Sequence, residues 1–219
     1  IRDYCDPKEY EGAPDLLYRN DDGKWVDVTH DAGLYNSSGK GLGVALADYD
    51  DDGDFDLYVA NDGTPNFLYR NQGDGSFSEE GLLSGTAYNK EGLAEAGMGV
   101  AFGDYNRDGR ADIFVTNFSH ETNTLYRNAD GVRFSDETTE AGLGRSSLPY
   151  VGFGAHFFDY DNDNDQDLFV ANGHIIDNIE LYNAGKTPAQ RALLLENTGG
   201  SYQAVSDLSL IHNSEPTRQ

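Results

Sequence analysis

Disulfides, membrane spans and common catalytic motifs are all missing from this sequence. Cys5 is the single cysteine among 219 residues, so no internal disulfide can form. No apolar run approaches the roughly 20 residues that a membrane-spanning helix needs. The five histidines lack the HExxH and His-x-His spacings of metal enzymes, and the GxSxG motif of serine hydrolases does not occur. These absences indicate a protein that is not an enzyme.

Basic residues are also scarce. Fifteen lysines and arginines stand against 39 aspartates and glutamates, which leaves a net charge of −24 and a pI near 4.2. Nucleic acid binding requires cations that neutralise phosphates, so this composition argues against a nucleic acid partner. An acidic membrane surface would repel the chain for the same reason. With 37% apolar and 12% aromatic residues, the chain is nevertheless globular rather than disordered.

The acidic residues are concentrated in a nine-residue pattern that occurs three times. We name the copies loop 1 (DYDDDGDFD, 48–56), loop 2 (DYNRDGRAD, 104–112) and loop 3 (DYDNDNDQD, 159–167). Side chains with oxygen ligands at positions 1, 3, 5 and 9, together with a backbone carbonyl at position 7, can coordinate a hard cation. Glycine at position 6 of loops 1 and 2 permits the sharp turn, and asparagine in loop 3 is the next best residue there. The pattern predicts one Ca²⁺ site in each loop.

The predicted metal site of each loop comprises its five odd-numbered positions, with position 7 contributing its carbonyl. These residues are Asp48, Asp50, Asp52, Asp54 and Asp56 in loop 1, Asp104, Asn106, Asp108, Arg110 and Asp112 in loop 2, and Asp159, Asp161, Asp163, Asp165 and Asp167 in loop 3. Loop 2 has asparagine at position 3, which leaves it three ligand carboxylates where loop 1 has four. We therefore expect loop 2 to bind Ca²⁺ more weakly than loop 1.

The sequences on either side of the loops are typical of strands. An EF-hand has a bidentate glutamate at position 12 and helices on both sides, whereas position 12 here is a valine in the short runs DLYVAN, DIFVTN and DLFVAN. A second strand pair follows each run, as in NFLYRN and GSFSEE, with short turns such as NQGDG inside the pair. Four short antiparallel strands in about 55 residues are the signature of a propeller blade. We predict an all-β propeller.

The repeats also predict how the chain is divided. We expect a lead-in at 1–14, a half blade at 15–29, complete blades at about 41–80, 97–138 and 152–206 within a propeller region 15–207, and a separate tail at 208–219. A closed ring typically has four to eight blades, so three complete blades and one half blade form a partial arc.

Several motifs together resemble a known family. Gly-x-Gly, DYDxDGxxDLYVAN and LYRNxGDGxF resemble the FG-GAP/VCBS repeats of integrin-type propellers. More narrowly, YCDPKEYEGAPDLLYRN near the start and VANGHIIDNIELYN at 170–183 are similar to bacterial members of the cartilage-acidic-protein (ASPIC/UnbV) family. The resemblance implies a calcium-stabilised scaffold that is secreted or exposed at the cell surface or in the periplasm. It implies no known reaction, because function lies in sites rather than in folds.

Two functions are consistent with these features. The first is a noncatalytic extracellular module that binds protein or glycan, as in cell adhesion. The second is the accessory propeller of a larger secreted enzyme whose catalytic domain lies outside this sequence.

Both ends of the sequence depart from the family pattern. In the resembled family a cysteine at the position of Cys5 lies in a cysteine-rich segment, so Cys5 either pairs with a cysteine upstream of this sequence or is a free thiol. The last twelve residues, LSLIHNSEPTRQ (208–219), resemble the translation of a sequencing adapter. We interpret them as derived from an adapter rather than as an ordinary polar tail. We expect the chain to be a fragment whose signal peptide and ASPIC/UnbV domain lie outside it.

The third blade contains an unusually long connection. Asn172 and Leu194 are 22 residues apart, against 7 and 8 for the equivalent pairs in the other blades. The intervening segment 173–192 has a helix-start signal at Thr187-Pro188. It is either a structural loop that caps one propeller face or an insertion that contacts a ligand. In the second interpretation the contacting side chains are His174, Tyr182, Lys186 and Arg191.

Overall fold

The computed structural model describes residues 7–176, 178–181 and 187–205, and these form four antiparallel sheets. The two-stranded sheet contains β1 (Tyr18–Asp21) and β2 (Lys24–Asp27). Blade 1 contains β3 (Gly41–Ala47), β4 (Asp56–Asn61), β5 (Phe67–Asn71) and β6 (Phe77–Glu79). Blade 2 contains β7 (Val100–Gly103), β8 (Asp112–Val115), β9 (Thr124–Asn128) and β10 (Phe134–Asp136). Blade 3 contains β11 (Gly152–Phe158), β12 (Asp167–Asn172), β13 (Leu193–Asn197) and β14 (Tyr202–Ala204).

Helical structure in the described residues is limited to short turns. These are α1 (Gly81–Ser84) and two 3₁₀ turns, Pro7–Glu9 and Ile179–Leu181. None of these helices has the length and apolar character needed to cross a membrane. The prediction of an all-β propeller arc is confirmed. Each of the three loops joins two strands, whereas an EF-hand loop joins two helices. Cys5 and the segment 208–219 lie outside the described residues.

The apolar core lies between neighbouring blades. One cluster joins Tyr58 of blade 1 to Ile113 of blade 2, and the next joins Phe114 of blade 2 to Leu168 of blade 3. Side chains alternate between the two faces of a strand, so β8 contributes to both clusters and is buried at every residue. Burial on both faces explains why these central strands are apolar throughout.

Glycines allow the first strands of adjacent blades to approach closely. A Cβ atom at Gly43 would overlap the carbonyl oxygen of Met98, and one at Gly99 would overlap that of Phe153. At Gly154, the equivalent residue of blade 3, the nearest atom to such a Cβ is the Cβ of Ala171, at 3.9 Å. The second glycine of the Gly-x-Gly motif thus lies at a blade boundary in blades 1 and 2 but not in blade 3.

The prediction that a helix begins at Thr187-Pro188 is wrong. The described part of this segment, 187–192, contains no helix. The N–H of His174 donates to the carbonyl of Pro188 (2.9 Å), and the N–H of Val151 donates to Oε1 of Gln190 (2.8 Å). The first bond uses a backbone carbonyl that a helix would need, and the second fixes the side chain of Gln190 against blade 3, so tertiary contacts override the local signal.

Blade 1 presents an apolar face beside the two-stranded sheet. Leu42, Val44 and Leu46 on β3 are each about 60% exposed. Together with Leu16 and Leu57 they line an open cavity of about 460 Å³. A contiguous exposed apolar surface of this kind favours association.

We therefore expect the protein to associate with itself through this face. The triple substitution Leu42→Ser, Val44→Thr and Leu46→Ser should shift the protein toward monomer in sedimentation velocity, because association would then bury less apolar surface. Leu83→Ser is the control, since Leu83 is 82% exposed but lies on α1. A wild-type protein that stays monomeric at high concentration would contradict this expectation.

Candidate metal centres

The backbone of each loop follows the same course between the first two strands of its blade. Gly53, Gly109 and Asn164 have φ angles of 95°, 86° and 69°, as predicted for position 6. Position 4 is also left-handed, which the sequence did not indicate. Its residues are Asp51, Arg107 and Asn162, with φ angles of 59°, 59° and 66°.

The carboxylate at position 1 organises the turn of each loop. Asp48 accepts hydrogen bonds from the N–H groups of Asp52 (3.1 Å) and Gly53 (2.9 Å). Asp104 and Asp159 accept the equivalent pair of bonds in their loops. The backbone therefore curls around this carboxylate.

The carboxylate at position 9 attaches the loop to the third strand of the blade. Asp112 is fully buried, and it accepts hydrogen bonds from the N–H of Tyr105 (3.1 Å) and the N–H of Asn128 (2.7 Å). Asp56 and Asp167 accept the same pair of bonds in blades 1 and 3. The residue predicted only as a ligand therefore also has a structural role.

Burial changes the acidity of this carboxylate. It raises the pKa of Asp56 to about 6 and that of Asp112 to about 7, although the two N–H donors act in the opposite direction. Neighbouring carboxylates raise each pKa further, namely those of Asp50 and Asp52 in loop 1. A divalent cation beside these groups would favour their charged forms instead.

Loops 1 and 3 bring their carboxylates together. Oxygens of Asp48, Asp50 and Asp52 lie within 4.8 Å of one another, and loop 3 shows the same arrangement. The grouped residues of loop 3 are Asp159, Asp161 and Asp167. Oxygens that share one Ca²⁺ at 2.3–2.6 Å are at most about 5 Å apart. These spacings therefore fit a calcium ion.

Asp50 gives a second, independent indication of a cation in loop 1. Its side chain is only 7% exposed, and both its carboxylate oxygens are buried without a hydrogen bond. Nε of Arg70 lies 2.6 Å from Oδ2 of Asp50, but its N–H does not point along a hydrogen-bond direction. The guanidinium of Arg70 supplies a cation at Oδ2, and a metal ion would supply the partner that the buried Oδ1 lacks. Of the predicted ligands of loop 1, Asp48, Asp50 and Asp52 converge, and Asp56 and the carbonyl of Asp54 stay predictions.

Loop 2 differs from the other two. Within the described chain, its acidic oxygens do not form a group as close as those of loops 1 and 3. Oδ2 of Asp108 instead accepts hydrogen bonds from Nη2 of Arg110 (2.7 Å) and from Nδ2 of Asn106 (3.1 Å). Arginine at position 7 and asparagine at position 3 therefore hold the position 5 carboxylate away from the others.

The asparagines that end the third strands of blades 2 and 3 connect neighbouring loops. Nδ2 of Asn128 donates to the carbonyl of Tyr49 in loop 1 (2.8 Å) and to that of Ala111 in loop 2 (3.2 Å). Asn197 likewise bridges loops 2 and 3 through the carbonyls of Tyr105 (2.8 Å) and Gln166 (3.0 Å). The only sequence signal for this bridge is the asparagine that ends each LYRN-like motif.

Removal of the bridge made by Asn128 should destabilise the folded protein. We expect Asn128→Ala to lower the free energy of unfolding by about 2–3 kcal/mol, because it leaves two carbonyls and the N–H of Gly131 without partners in a buried place. Asn71→Ala is the matched control, since Nδ2 of Asn71 donates only to the carbonyl of Phe55 (3.1 Å). Urea unfolding with a chelator present would measure both. Equal losses would contradict the bridging role.

Two polar residues of the connection in blade 3 contact other parts of the protein. The ring of His174 packs edge-on against that of Phe118, and Nε of Arg191 donates to the hydroxyl of Tyr150 (2.9 Å). Both side chains therefore contact the protein itself. Tyr182 and Lys186 lie outside the described residues.

A buried glutamate lies at the propeller face opposite the loops. Glu95 is 8% exposed, and burial raises its pKa. Its Oε2 accepts hydrogen bonds from Nδ2 of Asn117 (3.0 Å) and from the hydroxyl of Thr124 (2.6 Å). Sequence reasoning missed this residue. Its internal partners indicate that it connects segments rather than taking part in chemistry.

Comparison with known proteins supports a repeat propeller. Residues 48–115 and 104–170 each match the family model described as an FG-GAP-like repeat. Cartilage acidic protein 1 of Xenopus tropicalis is 32% identical over 148 residues, which cover 67% of this chain and 22% of that protein. The Homo sapiens protein of the same name is 30% identical over 148 residues, which cover 67% of this chain and 21% of that protein. The chain thus spans about a fifth of the length of these relatives.

A solved structure also resembles the chain weakly. It is that of an Agrocybe aegerita lectin, whose title describes recognition of non-reducing terminal N-acetylglucosamine. The match has a TM-score of 0.44 and 18% identity, and it covers 89% of this chain and 46% of the lectin. This similarity is too low to support an argument about ligand.

Proposed function

The chain belongs to the FG-GAP-like repeat family, and from this membership we propose that it is a noncatalytic, calcium-binding propeller module of the extracellular space that binds a protein or a glycan. The observation that carries the proposal is the geometry of loop 1. Three carboxylates converge there, while the buried carboxylate of Asp50 lacks any hydrogen bond. Calcium would complete that arrangement and would connect the two strands that each loop joins.

The proposed extracellular location is compatible with weak calcium sites. Extracellular calcium modules bind with dissociation constants of about 10⁻⁴–10⁻³ M. Such affinities suit the calcium concentrations outside cells. The net charge of −24 would also be partly neutralised by bound calcium.

A noncatalytic role is supported by what the buried carboxylates do. Asp112 accepts two backbone hydrogen bonds, and Glu95 accepts bonds from an amide and a hydroxyl of the same chain. The ligand-binding surface that we propose is the face opposite the loops. Long connections form that face, including 85–97 and 137–151, and connecting segments commonly carry binding residues.

Calcium binding should be directly measurable. We expect about three Ca²⁺ per chain in titration calorimetry and a higher melting temperature with calcium, because a ligand of the folded state stabilises it by mass action. At a tenfold excess of calcium over Kd, each site should contribute about 1.4 kcal/mol. Mg²⁺ should compete poorly, since it demands a tighter octahedral shell.

A loop variant provides the control for this experiment. Asp48→Ala combined with Asp52→Ala should remove one site and leave the others intact, because both residues belong to loop 1. The proposal fails if a sample that is folded by circular dichroism binds no calcium.

A further inference from the structure

One strand position differs in charge among the three blades. Arg70, Arg127 and Glu196 each immediately precede the asparagine that ends the third strand. They are equivalent in register, because each is paired with the middle residue of its blade's fourth strand. Two calcium loops therefore lie beside an arginine and one beside a glutamate.

In loop 1 the arginine lies against predicted calcium ligands. Nε of Arg70 is 2.6 Å from Oδ2 of Asp50, and its Nη2 is 3.4 Å from Oδ2 of Asp52. These carboxylates belong to positions 3 and 5. One guanidinium against four ligand carboxylates gives these ligand groups a net charge of −3, with Asp51 and Asp54 outside the count because their side chains are not predicted ligands.

Loop 2 has two such cations. Nη2 of Arg127 lies 3.5 Å and Nη2 of Arg110 lies 2.7 Å from Oδ2 of Asp108, the ligand at position 5. Because position 3 is asparagine, three ligand carboxylates face two guanidinium groups, and a net charge of −1 remains.

Loop 3 has no comparable cation. Within the described ranges, no lysine or arginine forms an ion pair with its four ligand carboxylates, which are those of Asp159, Asp161, Asp163 and Asp167. The guanidinium of Arg107 does lie against loop 3, where it pairs with Asp165 (2.6 Å) and donates to the carbonyls of Asn164 (3.0 Å) and Asp163 (3.1 Å). Its charge is therefore matched by Asp165, whose carboxylate is not a predicted ligand because position 7 uses its carbonyl. The four ligand carboxylates keep a net charge of −4, and Glu196 acts electrostatically on Tyr160 of the same loop.

We propose that the residue before each blade-end asparagine is a tethered charge that ranks the calcium loops, so that loop 3 binds Ca²⁺ most tightly, loop 1 less tightly and loop 2 most weakly. The inference rests on the proposed calcium-binding function. Its physical basis is that a guanidinium near the ligand oxygens repels the incoming divalent ion and competes for the same carboxylates. Arg70 and Arg127 are thus positioning residues that set affinity without contacting the metal.

The order of filling can be tested on the unmodified protein. The backbone N–H groups of Gly53, Gly109 and Asn164 each donate to the position 1 carboxylate of their loop, so their amide resonances report the occupancy of that loop. In a calcium titration followed by ¹⁵N–¹H spectra, the Asn164 signal should saturate first, Gly53 second and Gly109 last. Any other order would overturn the ranking.

Substitutions test the cause of the ranking. Arg70→Gln should tighten calcium binding at loop 1 about tenfold, as expected for one unit charge about 6 Å from a divalent ion at a dielectric constant close to that of water. Glu196→Arg changes the charge by two units and should weaken binding at loop 3 about a hundredfold. Glu196→Gln should weaken calcium binding at loop 3 by a smaller factor, and it replaces Glu196→Arg in the test if that variant does not fold. Arg19→Gln is the matched control, because Arg19 has the same sequence position in the two-stranded sheet and pairs with Asp21 (2.7 Å).

The outcomes separate the two proposals. If the wild-type protein binds no calcium, the proposed function fails, and the ranking fails with it. If calcium binds but Arg70→Gln and Glu196→Gln leave the affinities of loops 1 and 3 unchanged, only the ranking is overturned. If Arg19→Gln changed the calcium affinities by the same factor, the effect would come from the overall charge of the protein, and the ranking would also be overturned.

Discussion

Replacing Gly99 with alanine is expected to lower the free energy of unfolding by about 3 kcal/mol or to prevent folding altogether. The added methyl group would overlap the carbonyl oxygen of Phe153 in blade 3 and approach Oγ1 of Thr116. Gly99 also donates its N–H to that hydroxyl (2.8 Å). The obstructing carbonyl belongs to the backbone of a neighbouring strand, so no side-chain rotation can relieve the overlap and the blades must separate.

Gly154→Ala is the matched control for this substitution. Gly154 has the same place in the repeat as Gly99, but the atom nearest to an added Cβ is 3.9 Å away, an ordinary van der Waals distance. We expect a change within about 0.5 kcal/mol, with stabilisation possible because alanine reduces the freedom of the unfolded chain. Urea unfolding followed by circular dichroism would compare the two variants. Similar losses for both would show that blade packing is not the cause.

Replacing Asp167 with alanine should cost about 3 kcal/mol of stability even when calcium has been removed by a chelator. Asp167 is fully buried, and it accepts hydrogen bonds from the N–H groups of Tyr160 (2.9 Å) and Asn197 (2.8 Å). Alanine would leave the buried N–H of Asn197 and the partly buried N–H of Tyr160 without an acceptor. The loss should therefore appear before any metal binds.

Asp161→Ala in the same loop separates structure from metal binding. Asp161 is exposed and accepts only a long hydrogen bond from the N–H of Asp163 (3.3 Å), so its loss should cost less than about 1 kcal/mol without calcium. Calorimetry should show calcium binding at loop 3 weakened in both variants. The dual role of position 9 would be refuted if chelated Asp167→Ala were as stable as chelated Asp161→Ala.

Much of the loop structure was predictable from the sequence because it is local. The spacing of aspartates and the residue at position 6 predicted where each turn lies, and the left-handed φ angles of Gly53, Gly109 and Asn164 confirm it. Short β-branched runs bounded by asparagine likewise predicted the strands on both sides of each loop. Within nine residues, chain geometry leaves few alternatives.

Features that depend on distant residues were not predictable in this way. The helix expected at Thr187-Pro188 does not form, because the carbonyl of Pro188 accepts a hydrogen bond from His174. The bridge from Asn128 to Tyr49 joins residues 79 positions apart in the chain. No local pattern encodes such a contact, since it exists only when two blades pack together.

The sequence by itself determined the number of loops, the turns within them and the strands that they join, because all of these depend on neighbours along the chain. Only the tertiary structure decided how the loops differ. Pairing of the third strand with the second places Arg70 beside the carboxylates of loop 1 and leaves Glu196 near loop 3. Electrostatic interactions depend on distance in space, and the fold alone sets which charges meet.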